Sequence, residues 1–185
     1  MLRGANKMLH EIVIAGFGGQ GVMSMGQLIA YSGMIEDKHV SWLPSYGPEQ
    51  RGGTANASVI VSDEPVGSPV ISQPTAAIVL NKPSFEKFEP SVKPGGILIV
   101  NSSLIDSKSN RDDITIIEIP ATDLANEMGE SRVANSIILG AFIELSKAVT
   151  IDSIVESLKK VLPERRHNLI PINKEALEKG AELVK

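Results

Sequence analysis

Short runs that are apolar at nearly every position alternate along this chain with longer stretches in which apolar residues recur every third or fourth place. Residues 11–15, 76–80 and 97–100 are of the first kind, the pattern of strands covered on both faces of a sheet. Residues 114–119 read as a further strand, and residues 39–43 and 69–72 as shorter ones. Residues 54–61 differ: Ala55, Ala57, Val59 and Val61 alternate with Thr54, Asn56 and Ser58, the period of a strand. Val22, Met25, Leu28, Ile29 and Met34 recur at helical spacing and predict a helix over 20–35. Further helices are expected over 83–88, over 121–128 with Gly129 as its stop, and over the strongly apolar 135–148. Thr150 or Asp152 caps another that Pro163 ends, and an amphipathic helix over 173–184 carries Leu177 and Leu183.

Strands alternating with helices specify an α/β fold. The expectation is one layered sheet in a single domain, mostly parallel, with helices on both faces. A wide antiparallel hairpin would join residues 39–43 to 54–61. Residues 1–9 read as a flexible leader and residues 10–185 as the domain.

Bulk composition narrows the classes. A length of 185 residues suits one domain with a real core, and 42% hydrophobic with 22% charged residues is an ordinary globular balance. Aromatics are 4%, so the core must be aliphatic. A net charge of -4 argues against a nucleic-acid partner. With no cysteine the chain can hold neither disulfides nor Cys-ligated zinc or iron–sulfur clusters, which fits a cytoplasmic setting. No apolar run approaches a membrane span, and the first residues lack the apolar core of a signal peptide.

The chemistry concentrates in two glycine-rich loops. The first, Gly16-Phe-Gly-Gly-Gln-Gly-Val22, follows a strand and opens a helix. Gly16, Gly18 and Gly21 match the dinucleotide-binding spacing, and Gly19 adds a fourth glycine. The acids that fingerprint wants after the second strand are missing there: Glu36 and Asp37 precede that strand, which ends at Leu43-Pro-Ser45. No Gly-Lys-Ser/Thr follows, so it is not a P-loop. Gln20 is a polar side chain with no packing purpose visible in the sequence. The second loop, residues 44–53, holds Ser45, Tyr46, Gly47, Glu49, Gln50 and Arg51, then Gly52 and Gly53. Its prolines and glycines exclude a regular element. Arg51 can fork onto a carboxylate or phosphate, and paired glycines invite a ligand or another backbone. His10, His39 and His167 have no metal spacing, no Gly-x-Ser-x-Gly elbow exists, and residues 164–167 read as a charged helix-end surface.

Together the two loops are recognisable. Gly16-Phe-Gly-Gly-Gln-Gly-Val22 followed by Ser45-Tyr-Gly-Pro-Glu-Gln-Arg-Gly-Gly-Thr-Ala-Asn56 resembles the gamma subunit of the 2-oxoacid:ferredoxin oxidoreductases, over residues 11–183. The Arg51-Gly-Gly-Thr-Ala-Asn56 wording is most similar to the 2-oxoglutarate branch; pyruvate, branched-chain and indolepyruvate enzymes are the alternatives within the family. The resemblance implies a complex that decarboxylates a 2-oxoacid on thiamine diphosphate with magnesium. That complex passes electrons through iron–sulfur clusters to ferredoxin and transfers the acyl group to coenzyme A. It implies alpha, beta and delta (ferredoxin-like) partner subunits, a compact gamma domain packed on the catalytic core, and no cofactor or catalytic residue belonging to the gamma chain alone. The motif positions implied to face coenzyme A, the active region or a partner are Gly16, Gly18, Gly19, Gln20, Gly21, Ser45, Tyr46, Gly47, Glu49, Arg51, Gly52, Gly53 and Asn56. A free-standing nucleotide-binding protein and a purely structural subunit remain the competing classes.

Overall fold

Six strands form one sheet in the computed structural model, which describes residues 7–47 and 53–185. They are β1 (Leu9–Phe17), β2 (His39–Tyr46), β3 (Thr54–Ser62), β4 (Ala76–Val79), β5 (Ile97–Asn101) and β6 (Thr115–Ile119). Their order across the sheet is β2-β3-β1-β4-β5-β6. β1, β4, β5 and β6 pair in parallel, while β3 runs antiparallel to both β1 and β2. The mostly parallel α/β sheet with an antiparallel hairpin is therefore as expected. Before β1 the chain is already tied down: Met8 N–H donates to Asp63 Oδ2 and Asp63 N–H to the Met8 carbonyl.

The helices are α1 (Val22–Ile35), α2 (Lys82–Phe88), α3 (Ala121–Glu127), α4 (Ala134–Ser146), α5 (Ile151–Val161) and α6 (Ile170–Glu182). All but α2 lie over one face of the sheet. There Ile12, Ile14, Val59, Ile78 and Ile99 meet Met25, Ile29, Ile137, Phe142, Ile154 and Leu177 in the main core. The residues between them on the strands, Ala77, Val79, Leu98 and Val100, point the other way and pack with Phe85, Val92 and Ile105 beneath α2. Helices thus cover both faces, unequally.

Two details set the helical layer. α4 and α6 cross with backbones in contact: a Cβ at Gly140 would fall 1.9 Å from the Leu177 carbonyl oxygen, and one at Gly180 1.8 Å from that of Ile137. The end of α1 is fastened to the start of α5 by Glu36. Its Oε1 accepts from Thr150 N–H at 2.6 Å, Thr150 Oγ1 at 2.9 Å and Ser153 Oγ at 2.5 Å, and its Oε2 pairs with Lys38 Nζ at 2.8 Å. Burial pushes this carboxyl up, but the hydrogen bonds from Lys38, Ser153 and Thr150 outweigh it and hold it at about 2.

Three local expectations are corrected. β2 runs on through Pro44, Ser45 and Tyr46, residues expected in a loop; β2 is an edge strand, where a proline costs little. Residues 69–72 form no strand: both neighbours of β1 and of β4 are already in place, and Val70 lies 69% exposed. α6 begins earlier than residue 173, with Pro171 in its first turn, where a missing N–H removes no helical bond.

Candidate functional site

The first glycine loop leaves β1 at the carboxyl ends of the parallel strands, where open α/β sheets place their ligands. Its glycines answer separate demands. A Cβ at Gly16 would press against Gln20 Oε1 at 2.7 Å and Leu80 Cβ at 3.1 Å. Gly21 has φ +78° and stands where any Cβ would lie 2.2 Å from Asn135 Nδ2. Gly19 has φ +96° and open space around it. Gln20, for which the sequence offered no packing purpose, turns out to be a brace: its Oε1 accepts from Phe17 N–H at 2.6 Å and its Nε2 donates to the Leu80 carbonyl at 3.0 Å. Asn135 of α4 donates to the Gln20 carbonyl at 2.7 Å and holds the loop from the other side. α1 then starts with no side-chain cap, which leaves its first amides available to an anion.

The two loops meet. Gly18 N–H donates to the Gly53 carbonyl at 3.0 Å, and Gly47 N–H to the Thr54 carbonyl at 3.0 Å. Between them lies a cleft of about 720 Å³, bordered by Phe17, Gly18, Gly19, Tyr46, Gly47 and Gly53, with Ser24 of α1 at its edge. No acidic side chain lines it among the described residues. Tyr46 is 67% exposed on its border. Strand register splits the second motif: Tyr46 pairs with Ala55, whereas Ser45 and Asn56 pair with each other one position away and lie on the opposite face of the sheet. Ser45 and Asn56 are therefore not brought to the cleft. Glu49, Arg51 and Gly52 lie outside the described residues.

A second cavity, of about 510 Å³, opens on the other side of the glycine loop, among α1, α3, α4, α5, α6 and the 3₁₀ helix Glu164–Leu169. Asn101, Arg132, Asn135 and Arg166 border it. Sequence reasoning passed over all four. Asn101 closing a buried strand was the available signal; Arg166 looked like one of several surface charges.

The arrangement is an α/β domain with open backbone amides and hydroxyls around a cleft at the sheet's carboxyl edge. The chain belongs to the pyruvate ferredoxin/flavodoxin oxidoreductase family, whose pattern matches residues 11–183. It is 37% identical over 172 residues to ketoisovalerate oxidoreductase subunit VorA of Methanothermobacter marburgensis, covering 93% of this chain and 36% of that protein. It is 33% identical over 184 residues to 2-oxoglutarate synthase subunit KorC of Methanocaldococcus jannaschii, covering 97% and 96%. Its fold matches, with a TM-score of 0.86 and 25% identity, a chain of the 2-oxoglutarate:ferredoxin oxidoreductase from Magnetococcus marinus solved with 2-oxoglutarate, coenzyme A and succinyl-CoA bound, covering 97% of this chain and 31% of that one. The chain thus spans about a third of the length of the VorA relative. No helix among the described residues is long and apolar enough to cross a membrane.

Proposed function

We propose that this chain is the gamma subunit of a cytoplasmic 2-oxoglutarate:ferredoxin oxidoreductase. It packs on alpha and beta catalytic subunits beside a ferredoxin-like delta subunit, and its cleft receives an anionic group of coenzyme A or of a partner. The observation that carries this reading is the bond from Gly18 to the Gly53 carbonyl, which joins the two family loops at the uncapped start of α1. Coenzyme A suits the donors present: the α1 amides, the glycine-loop amides and the Ser24 hydroxyl would hold its anionic part, and Tyr46 would shield it. Arg51 stands in sequence between Gly47 and Gly53, both on the cleft border, and would supply the charge. Thiamine diphosphate with magnesium and the iron–sulfur clusters would belong to partners. The chain has no cysteine, and among the described residues no three His, Asp or Glu side chains converge.

The 2-oxoglutarate assignment is supported by the wording after Arg51 and by the KorC relative. A branched-chain 2-oxoacid enzyme is the second reading, supported by the higher identity to VorA. The test is anaerobic affinity capture of the chain from its own cell, with partners identified by mass and the eluate assayed for coenzyme A-dependent electron transfer from each 2-oxoacid. Activity on 2-oxoglutarate is expected. Activity on 3-methyl-2-oxobutanoate alone moves the assignment to the second reading, and capture of the chain without partners or activity overturns both. Within an active complex, Arg51→Ala should raise the KM for coenzyme A. Unchanged assembly, KM and turnover would remove Arg51 from the site.

A further inference from the structure

Two long helices of this domain are almost free of charge, and only one of them is enclosed. α4 carries no charged side chain from Ala134 to Ile143 and is buried at every position from Ser136 to Ile143. α1 carries none in all of its 14 residues. A helix apolar all round is ordinarily covered all round. α1 is covered on part of its circumference only, by the sheet beneath it and α5 beside it. Met23, Gln27, Ala30 and Met34 recur at intervals of three and four along the side left open, where Met34 is 58% exposed and the other three are half-buried. The outer positions of α5 and α6 differ: Glu156, Lys159, Glu175 and Glu178 face solvent there.

The uncharged stripe runs on to β2. A Cβ at Gly26 would stand 2.8 Å from Trp42 Nε1 and one at Gly33 2.5 Å from Val40 Cγ1, so the two glycines let α1 lie against this strand. Half-buried Val40, Trp42 and Pro44 and exposed Tyr46 continue the surface, and β2 has no Lys, Arg, Asp or Glu along its free edge. The opposite edge strand, β6, carries Glu118 paired with Lys108, the kind of charge that keeps an edge unpaired. Pro44 works against the addition of a further strand, so side chains would make the contact at β2. The methionines suit an irregular apolar partner surface.

We infer that the corner formed by α1 and β2 is a docking face for a polypeptide related to the part of the longer relatives that lies outside this domain, met through an uncharged, apolar surface. The matched region is 96% of the KorC relative but 36% of VorA and 31% of the Magnetococcus chain. About two-thirds of the two longer chains is therefore further polypeptide tethered to this domain. Where the domain makes up nearly a whole chain, the same body has to be held by surface contact. Met23 and Tyr46 also border the cleft, so the docked body would close its outer side. The inference rests on reading the chain as one subunit of a complex, and not on the substrate or on what the cleft binds.

The test places a photo-crosslinking phenylalanine analogue at position 34 and, as a control, at position 156 on α5, in the full chain expressed in its own cell. Complexes are captured anaerobically and the linked peptides are identified by mass. Position 34 should link to a polypeptide that aligns with the unmatched two-thirds of VorA or of the Magnetococcus chain, and position 156 should not. Met34→Lys adds a charge at the end of α1 where the helix dipole favours one, so the thermal midpoint should hold. Recovery of the partner should nevertheless fall about tenfold, because the contact would bury an unpaired charge. Glu156→Lys should leave recovery unchanged. A link from position 34 to a second copy of this chain, a partner link from position 156 alone, or full recovery with Met34→Lys would each overturn the inference. An active complex without any link from position 34 removes the inference alone, whereas capture of the chain without partners removes the subunit reading together with it.

Discussion

The sheet has two halves under different physical constraints. In the parallel half, β4 is buried at every position, with the helical layer above it and α2 below. In the hairpin half, α1 packs on one face, where Val40, Trp42, Val59 and Val61 join the core. The other face presents His39, Leu43, Ser45 and Thr54 to solvent. The parallel half thus resists substitution on both sides, whereas the hairpin half has a side to spare at its β2 edge, Ile60 of β3 being buried on that same face. The second family loop grows from the tolerant half and the first from the constrained half. The cleft between them has one rigid wall and one wall whose sequence is freer to change.

This contrast can be broken most severely in the helical layer that closes the constrained half. Gly140→Leu drives a side chain into the α6 backbone and should cost about 3 kcal/mol or more, read as loss of soluble folded protein or as a collapsed urea midpoint. The contrast is measured directly by a matched pair. Ile78→Ala, at a fully buried position of β4, should cost about 3 kcal/mol, while Leu43→Ala, 43% exposed on β2, should stay within about 0.5 kcal/mol. Equal losses in urea unfolding would erase the distinction between the halves.

Acid titration probes the same layer more gently. The folded value of Glu36 lies below its unfolded value of 4.5, so its stabilisation is complete above that pH and is lost as pH falls toward 2. Glu36→Gln should flatten this part of the stability-versus-pH curve, with a loss of about 1–2 kcal/mol at neutral pH, where Thr150 N–H keeps only an uncharged acceptor. The most local of the destabilising effects is at the seam between the halves. Gln20→Ala removes the acceptor of Phe17 N–H and the donor to Leu80, costing about 1 kcal/mol, and it should raise hydrogen exchange at Gly18 and Gly19 before it changes any midpoint.

Much of this was legible in the sequence where period and punctuation agree. The apolar runs gave β1, β4 and β5 their places, and the glycine cluster marked the turn into α1. The Thr150 cap is visible one residue before α5, where its side chain accepts from Ser153 N–H. What was hidden depends on distant partners. Pro44 and Tyr46 look like loop residues until Ala57 and Ala55 arrive to pair with them. Gln20 looks idle until the Leu80 carbonyl stands beside it, 60 positions on. The helix-side cavity draws its walls from α1, α3, α4, α5, α6 and the 3₁₀ helix before α6, and no local pattern announces such a convergence. The sequence separated Ser45 from Tyr46 by one position, which in a strand places them on opposite faces; recognising that required knowing that β2 continues so far.

The bond from Asn135 to the Gln20 carbonyl spans 115 positions of chain. A ribosome delivers those positions in order, so the glycine loop is made early and its brace arrives late. Until α4 has emerged and docked, Gly21 lacks the amide that occupies the space beside it, and the loop keeps the freedom its glycines allow. The loop's wall toward α4 is consequently completed only after residue 135 has been made, and a nascent chain halted before it would carry the glycine loop, braced by Phe17 and Leu80, without its bond to α4.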